Sequence, residues 1–233
     1  MKISKTSPLF LSLIFICFIF TTARSQDTQD TTNKQEDKIE KSIQVLKDFS
    51  DMKENIPQEL LKVTQGIIVV PKLINAGFVL AGKRGKGIAM VKMEDGTWSN
   101  PVFVTITGGS VGFQIGVQAV DLVLIFKNRE TLQDIGKGSF TLGSDISVTA
   151  GPVGRSSTAS TDYKLEAEVY SYSRSKGLFA GISLGGSAIA VDAKANEVYY
   201  GNDDDAKTIF SDTDTDESDA VKELKDTLRG MYE

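Results

Sequence analysis

Residues Gly108 to Phe126 read GGSVGFQIGVQAVDLVLIF, and the build of this stretch decides the fold. Four glycines, Gly108, Gly109, Gly112 and Gly116, fall within nine positions. One acid, Asp121, then precedes the unbroken apolar run Leu122 to Phe126. Glycine weakens a strand interior, so it marks a bulge, a bend or close approach of another backbone. A glycine-kinked strand leading into a fully buried one is what a strongly curved sheet needs. No catalytic group sits in the segment, so function has to be approached through architecture.

Outward from this block, Gly66 to Gly201 holds 20 of the 21 glycines and reads as short strands between glycine punctuation. Gly66 to Val70 is the first strand, ended by Pro71. Phe78 to Ala81 and Gly87 to Met93 follow, then Val102 to Thr107, Val111 to Val117 and Val120 to Phe126. Asn128 can cap a helix running to Ile135, with Gly136 as its stop. Phe140 to Leu142, Asp145 to Ala150, Leu165 to Ser173, Leu178 to Leu184 and Ala188 to Val191 complete the set. The strands are too closely spaced for repeated βαβ crossovers, which predicts mostly antiparallel pairing. The fold class expected is α+β: a glycine-rich, mostly antiparallel β-barrel or β-sandwich body with packed N- and C-terminal helices.

Helices flank this body. In Glu36 to Met52, Ile39, Ile43, Leu46 and Phe49 recur at spacings of four, three and three, one apolar stripe. Its polar face carries Lys38, Lys41 and Lys47 against Glu36, Asp37, Glu40 and Asp48, so it is near neutral. The stripe can pack on the body or touch a membrane surface. Pro57 suits the start of a short helix to Gln65, with Gly66 as its stop. After Asn202 the chain is acidic and then helical, with Val221, Leu224, Leu228 and Met231 on one face and Ser218 or Asp219 as cap.

The N-terminus reads as a targeting signal. Lys2 and Lys5 precede an apolar stretch from Leu9 to Phe20, and Ala23-Arg24-Ser25 offers a cut before Gln26. The domain plan is then a signal peptide at 1–25, a disordered polar linker at 26–35, a folded domain with its N-terminal helices at 36–201, and an acidic segment with a C-terminal helix at 202–233. Losing Lys2, Lys5 and Arg24 leaves 23 basic against 31 acidic residues, a formal charge of −8. An exported protein, periplasmic or extracellular and peripheral on a membrane, is expected.

What is missing bounds the chemistry. There is no histidine, and the single cysteine, Cys17, lies in the N-terminal apolar stretch. Ser-His-Asp and Cys-His catalysis and His/Cys zinc sites are excluded. The acidic balance lacks a nucleic-acid footprint. Gly82-Lys83-Arg84-Gly85-Lys86-Gly87 has neither phosphate-loop spacing and reads as a basic turn, exposed and able to meet phosphate head groups. Asp212 to Asp216 with Glu223 imitates a calcium loop, but Glu217 stands where glycine is needed. Glu166 and Glu168 read as a solvated face or as partners for Lys164 and Arg174. Nothing nominates a catalytic pair, a cofactor or a metal.

Three blocks carry a resemblance: IPQELLKVTQGIIVVPKLINAGFVLAGKRGKG (56–87), NPVFVTITGGSVGFQIGVQAVDLVLIFKN (100–128) and KGLFAGISLGGSAIAVD (176–192). Together they resemble the SYLF domain family, over roughly Ile56 to Gly201 and in the right order. The resemblance implies a glycine-rich β body packed with helices and binding to anionic phospholipid head groups. It implies actin binding only for eukaryotic members, which an exported chain would not share. Lys83-Arg84-Gly85-Lys86 departs from the family, which is often acidic or neutral there. The function expected is therefore non-enzymatic recognition of anionic phospholipid by Lys72, Lys83, Arg84 and Lys86. Apolar help is expected from Ile39, Ile43, Leu46 and Phe49. An envelope structural module with a protein partner is the alternative.

Overall fold

The computed structural model describes residues 31–52, 56–78, 80–111, 116–152, 166–212 and 217–232. Helix α1 covers residues 31–50, and α2 is Gln58–Lys62. Four long strands follow: β1 (Gly66–Phe78), β2 (Leu80–Val91), β3 (Val102–Val111) and β4 (Gly116–Phe126). After α3 (Arg129–Gln133) and a 3-10 turn at Asp134–Lys137 come β5 (Phe140–Thr141), β6 (Val148–Ala150), β7 (Val169–Ser175), β8 (Leu178–Phe179) and β9 (Ser187–Val191). Helices α4 (Ala193–Tyr200), α5 (Ala206–Ser211) and α6 (Asp219–Tyr232) end the chain.

The strands form one curled sheet in the order β5-β9-β3-β2-β1-β4-β7-β6, with β8 paired to β7. Among the named pairings only β6 with β7 is parallel. The central order β3-β2-β1-β4 is that of a Greek key. The fold is thus α+β with a mostly antiparallel curled sheet, as expected.

The long apolar runs exist because the sheet is covered on both faces. Ile67, Val69, Ile88, Met90, Phe103, Val123 and Ile125 share one core with α1, α2 and α6. Their alternates Ile68, Ala89, Val91, Val102, Val104, Leu122, Leu124 and Phe126 share a second core with Leu132, Ile209 and Phe210. Ile39, Leu46 and Phe49 of α1 are fully buried in the first core, and Ile43 nearly so. Val221, Leu224 and Leu228 of α6 dock on the same face. Ser218 accepts from the Val221 N–H through its hydroxyl, 3.3 Å, as the expected cap.

Several expected boundaries move. Pro71 does not end a strand; β1 runs on to Phe78 across a register shift, between Val70 and Leu73 against β4 and between Val69 and Ile74 against β2. A bulge is where a sheet tolerates proline, and Lys72 sits in it with φ of 60°. The Lys72 N–H donates to Asp121 Oδ1 at 3.2 Å, so the lone acid before the apolar run holds the bulge.

The supposed glycine turn at 82–87 is the middle of β2. A Cβ on Gly87 would lie 2.0 Å from the Val69 carbonyl oxygen. Glycine is there because the bulged β1 backbone leans on β2, not because the chain turns. The stretch expected as one strand from Val111 to Val117 ends β3 and begins β4, and Gly112 lies outside the described residues. Residues 31–35, expected as linker, are helical. The strand expected from Leu178 to Leu184 stops at Phe179.

Residues 180–186 instead run from β8, beside β7, to β9, across the face of the second core. Leu184 is buried there, with Ala180 and Ile182 packed against it. The Ser173 hydroxyl donates to the Ala180 carbonyl and the Lys83 ammonium to that of Ser183. This strap joins the two sides of the curled sheet.

Candidate functional site

The far end of the four long strands, away from the helices, gathers the expected basic residues but not as one cluster. A strand sends successive side chains to opposite faces. Arg84 and Lys86 lie on the α1 face, with Ile88 and Met90, and are exposed. Lys83 lies on the strap face, buried, with its ammonium on the Ser183 carbonyl. Burial pushes the Lys83 amine below the ordinary lysine value. The expected exposed turn of three cations is corrected on this point: one of the three is interior.

The other expected residues divide in the same way. Lys86 is half-exposed but bonded to Asp192 at 2.7 Å. The lysine bond helps hold the Asp192 carboxyl below the usual carboxylate range, against the burial that opposes it. Lys72 is exposed on the bulge. The stripe Ile39, Ile43, Leu46 and Phe49 faces the sheet, so in this conformation it is core and not a surface for lipid.

Register then shows what sequence spacing could not. On the α1 face one transverse row runs Thr107–Arg84–Ile74–Ala119 across β3, β2, β1 and β4. Ser175 donates its hydroxyl to the Ala119 carbonyl at 3.3 Å, which sets the following turn, with exposed Lys176, beside this row. Lys72 lies two residues before Ile74. Three exposed cations, Lys72, Arg84 and Lys176, therefore surround the row. The next face position on β4 is Val117, 76% exposed, and Leu178 beside the Lys176 turn is 73% exposed. These are the two most exposed large apolar residues among those described. Neither Val117, Leu178 nor Lys176 stood out in the sequence, because only the strand register brings them to one end.

Where α1 ends, Arg174 closes the neighbouring surface. Its guanidinium reaches Asp48 of α1 and Asp121 of β4, the latter at 3.0 Å, and lies over the Phe49 ring. Arg174 thus does not pair with Glu166 or Glu168, which are exposed before β7 begins. Three clefts of about 340, 480 and 430 Å³ open elsewhere, along α6 and α3, and none is lined by Lys72, Lys83, Arg84 or Lys86. No group of acids able to hold a metal is found among the described residues, and most of the Asp212 to Asp216 tract lies outside them. No described helix is long and apolar enough to cross a membrane.

A family model described as "Ysc84: Las17-binding protein actin regulator" matches residues 107–231, just over half of the chain. The chain is 38% identical over 159 residues to LAS seventeen-binding protein 3 of Saccharomyces cerevisiae, covering 67% of this chain and 34% of that protein. It is 35% identical over 171 residues to SH3 domain-containing YSC84-like protein 1 of Xenopus laevis, 70% of this chain and 51% of the relative. With the human protein of the same name it shares 31% over 202 residues, 83% of this chain and 59% of the relative. The chain therefore spans from a third to about three fifths of these relatives. They are yeast and vertebrate proteins, and they overturn the expected placement outside the cell, together with the dismissal of actin that rested on it. The residues that carried that expectation, 1–25, lie outside the described ones. By the match over β3 to α6 and these identities, the chain belongs to the Ysc84 family of Las17-binding protein actin regulators, the SYLF domain family.

Proposed function

We propose that the chain is a non-catalytic docking module that binds anionic phospholipid surfaces through the end of its sheet that carries exposed Val117 and Leu178. The observation that supports this most is the coincidence of exposed Val117 and Leu178 with the cations Lys72, Arg84 and Lys176. Each cation near an anionic surface contributes on the order of 1 kcal/mol. Full burial of a valine or leucine side chain contributes about 1.5–3 kcal/mol. The sum, before the cost of association, supports modest and salt-sensitive binding, and the net charge of −5 works against more.

Flotation of the full chain with phosphatidylserine-containing vesicles is the test. Binding is expected at low salt and falls steeply as the Debye length shrinks to about 8 Å at physiological ionic strength. Reversing Lys72, Arg84 and Lys176 together to Glu should abolish it. Binding that survives both high salt and the triple reversal sinks this reading.

A second reading comes from the family description. Relatives are named for binding Las17 and for their SH3 domains, and a protein partner of that kind is proposed for this chain too. Capture of a Las17-type protein by the chain, unaffected by the triple reversal, would place that partner on another surface.

A further inference from the structure

The cleft of about 340 Å³ beside α6 lies among helices, apart from the docking surface. Its lining includes Glu36 of α1, Asn100 before β3, Tyr199 and Tyr200 at the end of α4, and Glu217 and Val221 at the start of α6. The two tyrosine rings stand edge to face, with centroids 5.0 Å apart and planes at 87°, and form two sides of a corner. Each ring is pinned by its hydroxyl. That of Tyr200 donates to the Pro101 carbonyl at 2.6 Å, and that of Tyr199 shares a hydrogen bond with the Ser218 hydroxyl at 3.0 Å. Tyr199 also packs edge-on against the Phe103 ring, 5.2 Å between centroids. The corner is formed before any ligand arrives, so binding has little left to order.

The charges around this corner do not balance. Glu217 is taken up by Lys225, whose ammonium also donates to Asn100 Oδ1 at 3.1 Å. Glu36 is half-buried and makes no ion pair among the described residues. The positions three and four away on α1 are Thr32, Asn33, Ile39 and Glu40, and none is a cation. Burial raises the Tyr199 hydroxyl above its ordinary value, and the Glu36 charge adds to that. Helix α4 ends at the same corner with no basic residue in its last turn, so the negative end of its dipole has no cation of its own. The positive end of α6 is already met by the Ser218 hydroxyl and by Asp219 in its first turn.

A half-buried carboxylate, two aromatic walls and a helix C-terminus suit an organic cation. An inorganic cation takes several oxygen ligands, and one carboxylate between two rings is a poor set for it. Of the two protein cations, the lysine ammonium is a compact point charge. The arginine guanidinium is planar, stacks on a ring and takes a carboxylate through two parallel N–H bonds. We infer that this cleft receives an arginine side chain of a protein partner, its guanidinium bonded to Glu36 and packed against Tyr199 and Tyr200. This site rests neither on the lipid surface nor on a Las17-type partner.

The test is titration of the full chain with glycyl-arginyl-glycine, blocked at both ends, followed by backbone amide shifts. Saturable shifts are expected at Glu36, Tyr199, Tyr200 and Val221. The same peptide with citrulline, which has the shape of arginine without its charge, should bind about tenfold more weakly or worse. The lysine peptide should bind severalfold more weakly than the arginine peptide. Glu36→Gln keeps the size of the side chain and removes its charge. It should lose about tenfold in affinity for the arginine peptide, and its preference for arginine over citrulline should shrink. Arg84→Glu should reduce vesicle flotation and leave the peptide titration unchanged, which separates this site from the docking surface. No saturable shift, equal binding of the citrulline peptide, or equal binding by Glu36→Gln overturns the inference. Equal binding of the lysine peptide overturns the choice of a guanidinium.

Discussion

The two ends of the β1–β4 ribbon are built from the same four strands and behave as different materials. At the helix end, residues such as Ile68, Val102, Leu124 and Phe126 are fully buried or nearly so, and both faces are roofed by helices and turns. At the far end, Arg84, Thr107, Val117 and Ala119 are exposed, and Lys83 is buried with its ammonium on the Ser183 carbonyl and on no carboxylate among the described residues. The first end spends its side chains on stability. The second leaves exposed apolar residues and a buried cation with no carboxylate partner among the described residues, features that folding alone does not require. A sheet whose ends differ so much separates what holds the molecule together from what is available for binding.

The largest effects should come from the helix end and the bulge. Gly87→Val forces atoms against the Val69 backbone, where nothing flexible can yield, and should abolish folding or cost more than about 3 kcal/mol in denaturant unfolding. Leu124→Ala should cost about 2–5 kcal/mol by the same measurement. Gly108→Val, at the far end, meets Ser187 side-chain atoms and its Cα at 3.1 Å, and should cost about 1–3 kcal/mol. A Gly108→Val loss as large as that of Leu124→Ala would erase the contrast between the ends.

These magnitudes show what was legible in the sequence. The runs IIVV and LVLIF announced strands buried on both sides, and the stripe Ile39–Phe49 announced a helix with one apolar face. The glycines of KRGKG were misread because a turn and a close backbone approach demand the same residue. Only the bulge at Pro71-Lys72 shows that β1 presses on Gly87. Alternation within β2 sends Lys83 and Arg84 apart, a consequence of strand geometry that a turn reading conceals. Helix α4, AKANEVYY, was missed because its apolar periodicity is weak; it is set by Asp192, which caps the Ala195 N–H. Val117, Leu178 and Lys176 lie more than fifty residues apart at the extremes, and no local pattern links them.

Titration offers a smaller effect with a definite sign. The folded-state amine of Lys83 is lowered from 10.5, so between its folded and unfolded values the unfolded chain binds more protons. Stability therefore rises with pH through that window. In Lys83→Met this contribution should vanish, which urea unfolding at stepped pH from neutral to about 10 can read. An identical pH slope in the two proteins would mean that Lys83 is solvated. The smallest effect belongs to the exposed cations: Arg84→Glu should leave the thermal midpoint nearly unchanged, since exposed charges contribute about 0–1 kcal/mol.

The contrast between the ends is tested most directly by an environment-sensitive dye at single cysteines. Val117→Cys and Leu178→Cys report the far end, and Val63→Cys, 42% exposed before β1 begins, reports the other. Each is placed in a chain with Cys17 replaced by Ser. On adding phosphatidylserine vesicles, dyes at 117 and 178 should shift to the blue and gain intensity, while the dye at 63 should not change. A shift at 63 with none at 117 or 178 would contradict docking through the end of the sheet that carries Val117 and Leu178.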